Sequence, residues 1–160
     1  MKKTLVLILL VVFFCSGCSA IKELLGYNER TPEYLLDTYI EGYLNSDLKK
    51  ATTMYPQFVL DSNRQNFTQE ALESALKHSK EEFGDDFKVT YEIKGKTKFT
   101  ESELSDFNKK VQSYYHTSES LSECYKLDGS ITFSGSKFTD PDPLALSYCK
   151  YNGTWYLLGA

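Results

Sequence analysis

The apolar residues of this chain change their spacing near Gly84, and that change limits the folds open to it. Before Gly84 they recur at helical intervals; from Phe87 to Ile93 they alternate with polar residues. Thr31-Pro32 has the form of a helix start, with Thr as cap and Pro at the first helical position. Leu35, Leu36, Tyr39, Ile40, Tyr43 and Leu44 make an apolar stripe behind it, and Asn45-Ser46-Asp47 interrupts that stripe. A short second helix is expected to reach Met54 and Tyr55 and to stop at Pro56. A third starts near Thr68, turns Leu72, Ala75, Leu76 and Phe83 inward, and ends at Gly84.

Phe87, Val89, Tyr91 and Ile93 then alternate with Lys88, Thr90, Glu92 and Lys94, the pattern of a half-buried strand. Thr100-Glu101-Ser102-Glu103 is a capping box, and it starts a fourth helix with Leu104, Phe107, Val111 and Tyr114 inward. A long strand over about 122–134 places Tyr125, Leu127, Ile131 and Phe133 on one face. Asp140-Pro141-Asp142-Pro143 reads as an acidic loop leading to a strand from Leu144 to Tyr151. Asn152-Gly153 is the strongest hairpin signal in the chain, because a two-residue turn needs positive φ. It pairs Tyr151 with Thr154, Cys149 with Tyr156 and Tyr148 with Leu157. Leu146, Tyr148, Trp155 and Leu157 then share one face, with Ser147, Cys149, Tyr151, Tyr156 and Leu158 on the other. Helices first, then strand, helix and further strands predict an α+β domain. Its N-terminal helices pack on an antiparallel sheet of about four strands, with a helix inserted after the first strand.

The first residues carry a different message. Lys2 and Lys3 precede an unbroken apolar run from Leu5 to Phe14. As a helix such a run rises about 15 Å, half of the ~30 Å core of a bilayer, so it fits a secretory leader and not a span. The segment after it, Cys15-Ser16-Gly17-Cys18-Ser19, resembles the lipobox of bacterial lipoproteins, with Cys15 standing where an aliphatic residue is usual. The resemblance implies a signal peptide over 1–17 and diacylation of Cys18, which becomes the mature N-terminus. Residues 18–30 are then a tether and 31–160 a single domain. A second and a third reading are ordinary secretion with cleavage after Ala20, and an uncleaved anchor. Two acyl chains hold a protein on a membrane where one does not. The expected location is extracytoplasmic, lipid-anchored to the outer face of the cell membrane.

Composition bears on partners. The whole chain of 160 residues has a formal net charge of −4. Removing 1–17 takes away Lys2 and Lys3 and no acid, which makes the mature side-chain balance more negative still. Such a chain has no basic footprint for nucleic acid.

The order of elements resembles the nuclear transport factor 2-like fold, the cystatin-like α+β roll in which helices close a strongly curved sheet into a cone. The residues that carry the resemblance are Tyr39, Tyr43 and Leu44 before Asn45-Ser46-Asp47, and the closing run Tyr148-Cys149-Lys150-Tyr151-Asn152-Gly153-Thr154-Trp155-Tyr156-Leu157. The helix inserted after the first strand is similar to that of small Gram-positive lipoproteins of unknown function. Enzymes on this fold, ketosteroid isomerases and dehydratases, set a carboxylate or histidine inside the cone against a tyrosine or acid. Here the inward faces carry Tyr39, Tyr43, Tyr91, Tyr125, Tyr148 and Trp155, with no inward Asp, Glu or His to act as a base. These residues are either core aromatics with their hydroxyls at the rim or the lining of a pocket for a small apolar or amphipathic ligand.

Cys124 and Cys149 fall on one face of neighbouring strands, opposite the Trp155 face, so their sulfurs are expected to point outward together and can bridge; two separate thiols are the alternative. Gly95-Lys96-Thr97 lacks the leading Gly of a phosphate loop, since Thr90 stands in its place. His78 and His116 have no neighbours at zinc spacing, and Asp140 and Asp142 lack the Gly and distal Glu of a calcium loop. No metal or cofactor is expected. The sequence therefore points to a non-catalytic binding or interaction module of the cell envelope, with a small ligand or an envelope protein as partner. An isomerase- or dehydratase-like enzyme and an immunity protein for a secreted toxin are the rivals.

Overall fold

The structure, a computed structural model, describes residues 30–159. Cys18, the leader and nearly all of the tether lie outside the described residues. Helices come first: α1 (Pro32–Leu44), α2 (Leu48–Thr52), α3 (Gln57–Ser62) and α4 (Gln69–Phe83). Then follow β1 (Lys88–Lys98), α5 (Glu101–Tyr115), β2 (Glu123–Ser134), β3 (Thr139–Pro143), β4 (Leu146–Tyr151) and β5 (Thr154–Gly159). The five strands form one open antiparallel sheet in the order β1-β2-β4-β5, with β3 paired to β2 alongside β4. The domain is α+β.

Side-chain caps set the helix starts. Thr31, Thr68 and Thr100 each accept a hydrogen bond from the backbone N–H three residues on, and Glu103 reaches back to the Thr100 N–H to complete the capping box. Pro56 does not end the helical region. Its φ of −72° suits a helix entrance, and it caps α3, whose Phe58 and Val59 are buried. In α4 the inward positions are Leu72, Leu76 and Phe83, while Ala75 is exposed. In α5, Tyr114 is 73% exposed, and its neighbour Tyr115 takes the inward place against the Phe58 ring at 5.8 Å. A 4-residue step from Val111 reaches Tyr115, so the stripe drifts one position from the expected one.

Asp140-Pro141-Asp142-Pro143 is not a loop but strand β3. It pairs with Ser130–Phe133 of β2. The Leu144 N–H donates to the Gly129 carbonyl at 3.0 Å, so the even-numbered nitrogens of β3 face β2 and those of Pro141 and Pro143 face the open edge. A strand can hold prolines there because no ladder bond is lost, and an edge so built resists pairing with another chain.

Both faces of the sheet are covered. On one, Leu127, Tyr148 and Leu157 pack on Leu35 and Leu36 of α1 and on Met54. The same face continues along β1 and β2 to Phe87, Val89 and Phe133, which meet Leu76 and Phe83 of α4. The opposite face buries Cys124, Cys149 and Leu158 under Phe58 and Val59 of α3 and Val111 of α5. The cysteine sulfurs share a face as expected, but that face is interior. The helix after Pro56 and the helix inserted after β1 supply the cover.

Gly42 marks the closest approach of α1 to α2. A Cβ built there would fall on the Ala51 amide nitrogen and the Lys50 backbone, so the helices could not keep this spacing. Gly42→Ala is expected to lower the unfolding free energy by about 1–3 kcal/mol, the range for overpacking. Equilibrium urea denaturation checks this, and an unchanged midpoint would refute it.

Candidate functional site

A cleft of about 650 Å³ opens between the start of α1 and the end of the sheet where β1 finishes, β2 begins and the β4–β5 hairpin turns. Tyr125, Tyr148 and Trp155 form its aromatic wall, with Ile93 and Leu127 below and Arg30, Pro32 and Glu33 across from them. The hairpin register brings the aromatics together. Tyr148 pairs with Leu157 and Lys150 with Trp155, so Tyr148 and Trp155 are diagonal neighbours on one face. Their rings stack 4.3 Å apart at 11°, and Tyr125, opposite Tyr148 on β2, lies 5.8 Å from Trp155.

A β-bulge adds cations to this wall. Ile93 pairs with Gly129 and Gly95 with Asp128, which leaves Lys94 as the extra residue. The bulge inverts the alternation of β1. Lys96 and Lys98, which would otherwise face away, take the face of Tyr125 and Leu127, their partners' side of the sheet. The Lys96 ammonium lies 5.3 Å from the Tyr125 ring centre and 5.8 Å from that of Tyr148, and Lys150 lies 5.6 Å from Trp155, distances of cation–π contact. Gly129 belongs to the same feature, since a side chain there would fall on the Glu92 carbonyl.

Two carboxylate–tyrosine pairs lie along the sheet, Glu123 with Tyr125 at the cleft and Asp37 with Tyr91 beside α1. Glu123 accepts from Lys98 at 2.7 Å and from the Tyr125 hydroxyl at 2.8 Å. The Lys98 bond, then that of Tyr125, holds the Glu123 carboxyl below the usual carboxylate range, while the same hydrogen bond pushes the Tyr125 phenol up. Tyr91 donates to Asp37 at 2.8 Å, and burial followed by this bond raises its pKa. At Glu123 and Tyr125, a lowered carboxyl beside a raised phenol is a static arrangement: the anion is a weak base and the phenol a weak acid near neutrality.

Of the aromatic residues singled out in the sequence, Tyr125, Tyr148 and Trp155 line the cleft. Tyr91 sits over a separate shallow depression beside Asp37 and Ile40. Tyr39 and Tyr43 stack on each other at 6.2 Å, with Tyr39 against Tyr55 and the Tyr43 hydroxyl 2.8 Å from the Ser79 hydroxyl, away from the cleft. Burial, reinforced by Tyr43, raises the Tyr39 pKa. The Cys124 and Cys149 sulfurs lie at bonding distance, from directly paired residues with Cα atoms 4.1 Å apart. Asp140 and Asp142 stand on β3, and among the described residues no group of three or more His, Cys, Asp or Glu is arranged to hold a metal ion.

Sequence reasoning missed Arg30, Lys96 and Lys98 at the site. Arg30 donates to the Trp155 carbonyl at 2.8 Å and to the Thr53 carbonyl at 2.5 Å, and its own carbonyl accepts from the Tyr148 hydroxyl at 2.7 Å. It ties the entry of the chain to the rim of the cleft. Gly95 inside an alternating run was the available sign of the bulge.

Neither a protein-family model, a curated protein nor a solved structure matches this chain. Among the described residues no helix is long and apolar enough to cross a membrane.

Proposed function

We propose that this protein is a lipid-anchored, extracytoplasmic component of the cell envelope. Cys18 carries the acyl chains, and the α+β domain, a nuclear transport factor 2-like roll, is a non-catalytic binding or interaction module. The observation that carries the reading is the cleft. It has stacked aromatics and cations, the furnishings of recognition, and Glu123 on its border is already engaged by Lys98 and Tyr125. The leader-like start and the Ser16-Gly17-Cys18 segment support the anchor. The bonding distance between Cys124 and Cys149 supports a disulfide and an oxidising compartment. An isomerase-like enzyme would need the Glu123 carboxyl raised toward neutrality beside Tyr125, whereas its partners lower it.

The test is intact mass of the protein extracted from the envelope in detergent. The expected species begins at Cys18 and exceeds the polypeptide mass by at least two acyl chains. A mature species without an acyl increment, or one retaining Lys2 and Lys3, overturns the anchor.

A further inference from the structure

We infer that the cleft end of the domain docks on an anionic phospholipid surface, the one to which the chain is tethered, so that the anchor and this face hold the domain in one orientation. The geometry of the anchored reading underlies this inference, and the docking itself rests on charge and placement. Lys96 stands over the aromatic wall and Lys150 over Trp155, where Lys150 faces Glu123 across the β2–β4 pairing; neither has a carboxylate within ion-pair distance among the described residues, and the Arg30 guanidinium donates to two carbonyls and lies 4.7 Å from the Tyr156 ring centre. Lys98 is matched by Glu123 and Lys94 by Glu92, and Glu33 is the remaining acid at the cleft. The cleft lining, with Arg30, Lys94 and Lys96 against Glu33, is therefore net positive on a chain whose total is −4.

The opposite end of the sheet differs. Tyr125 and Phe133 lie eight residues apart on β2, roughly 26 Å along a strand. Phe133 is flanked by Asp140 and Asp142 on β3, and Asp86 caps the nearby Ser136 N–H at 2.7 Å, with Asp85, Glu73 and Glu81 nearby and Lys77, Lys80, Lys88 and Lys137 in partial opposition. An anionic surface thus attracts one end of the domain and not the other. The attracted end carries tyrosine, tryptophan and lysine, side chains suited to the headgroup layer.

The point of attachment agrees. The described chain begins at Arg30, on the rim of this cleft, and the segment from Cys18 to Arg30 spans at most about 40 Å when fully extended. A lipid on Cys18 keeps Arg30, on the rim of the cleft, within that reach of the bilayer.

The test uses the mature chain with Cys18→Ala, which carries no acyl group. It is mixed with phosphatidylcholine vesicles, with and without about one-third phosphatidylglycerol. The sole tryptophan, Trp155, reports contact by fluorescence, and co-sedimentation gives affinity. The expected result is binding to the anionic vesicles alone, weakened as salt rises from about 0.1 M to about 1 M and the Debye length falls from ~10 Å to ~3 Å. Lys96→Gln with Lys150→Gln should weaken it about thirtyfold. Lys77→Gln with Lys80→Gln, on α4, should leave it unchanged. Equal binding to both vesicles, no binding to either, an equal loss in the α4 variant, or a Trp155 response to inorganic phosphate without vesicle binding would each overturn the inference. Failure of the anchored reading shows separately, in the intact mass.

Discussion

Leu157→Ala is expected to lower the unfolding free energy by about 3–5 kcal/mol, the upper part of the range for leucine truncation in a closed core. Leu157 has no exposed surface. It sits mid-way along β5, packed with Leu35, Leu36, Met54, Leu127 and Tyr148. Its N–H also donates to the Met54 carbonyl at 2.9 Å, which clips the free edge of the sheet to the segment after α2. The backbone bond survives the substitution, so the site cannot collapse freely and a cavity remains. Against a typical total of about 5–15 kcal/mol, such a loss brings the domain close to its unfolding threshold at ambient temperature. Urea denaturation followed by Trp155 fluorescence measures it. A loss below about 1 kcal/mol would mean that the helices and sheet do not close on Leu157 as described.

The hairpin that holds Leu157 was legible from its turn. Asn152 and Gly153 have φ of 48° and 79°, and the pairs Tyr151–Thr154, Cys149–Tyr156 and Tyr148–Leu157 follow from that two-residue loop. The caps at Thr31, Thr68 and Thr100 were equally readable, because each is decided by residues within one turn. What was not readable depends on distant partners. Asp140–Pro143 has poor strand propensity, and only the unpaired half of β2 makes it a strand. The face of β2 and β4 bearing Cys124 and Cys149 looked solvent-facing because polar residues share it. Its burial comes from α3 and α5, and a sequence pattern does not reveal which helix covers which face. The site suffered most from the bulge. One extra residue at Lys94 moved two lysines onto the aromatic wall, and alternation read straight through that point would have sent them to the other side. Tyr39 and Tyr43, by contrast, obeyed the helical stripe and were inward, but inward at their position means beneath α4 and beside Tyr55, not at the cleft.

Replacing Cys124 and Cys149 together by alanine is expected to remove about 3.5 kcal/mol through loop closure alone, for a loop of this length in the chain-entropy model. The separation is 25 residues, and the loop takes in β2 from Cys124 onward, β3, and β4 as far as Cys149, so the unfolded chain gains freedom across much of the sheet. Truncation adds a packing loss, because the two side chains are 1% and 0% exposed and form the centre of the second cluster with Phe58, Val59, Val111, Leu121 and Leu158. The two contributions separate experimentally. Reducing the wild-type chain releases the loop but leaves both sulfurs in place as small apolar groups, so its urea midpoint falls by the loop term alone. The double alanine variant falls further and becomes indifferent to reductant. Thiol titration of the unreduced, denatured wild type should find neither cysteine free. Two titratable thiols in protein taken from the envelope, or a midpoint that reductant does not move, would refute the bridge. The proposed oxidising location would then lose its support from within the fold. The same comparison makes stability a reporter of compartment: a domain that depends on this bridge is more stable outside the cytoplasm than within it, because a reducing cytosol would keep both thiols unpaired.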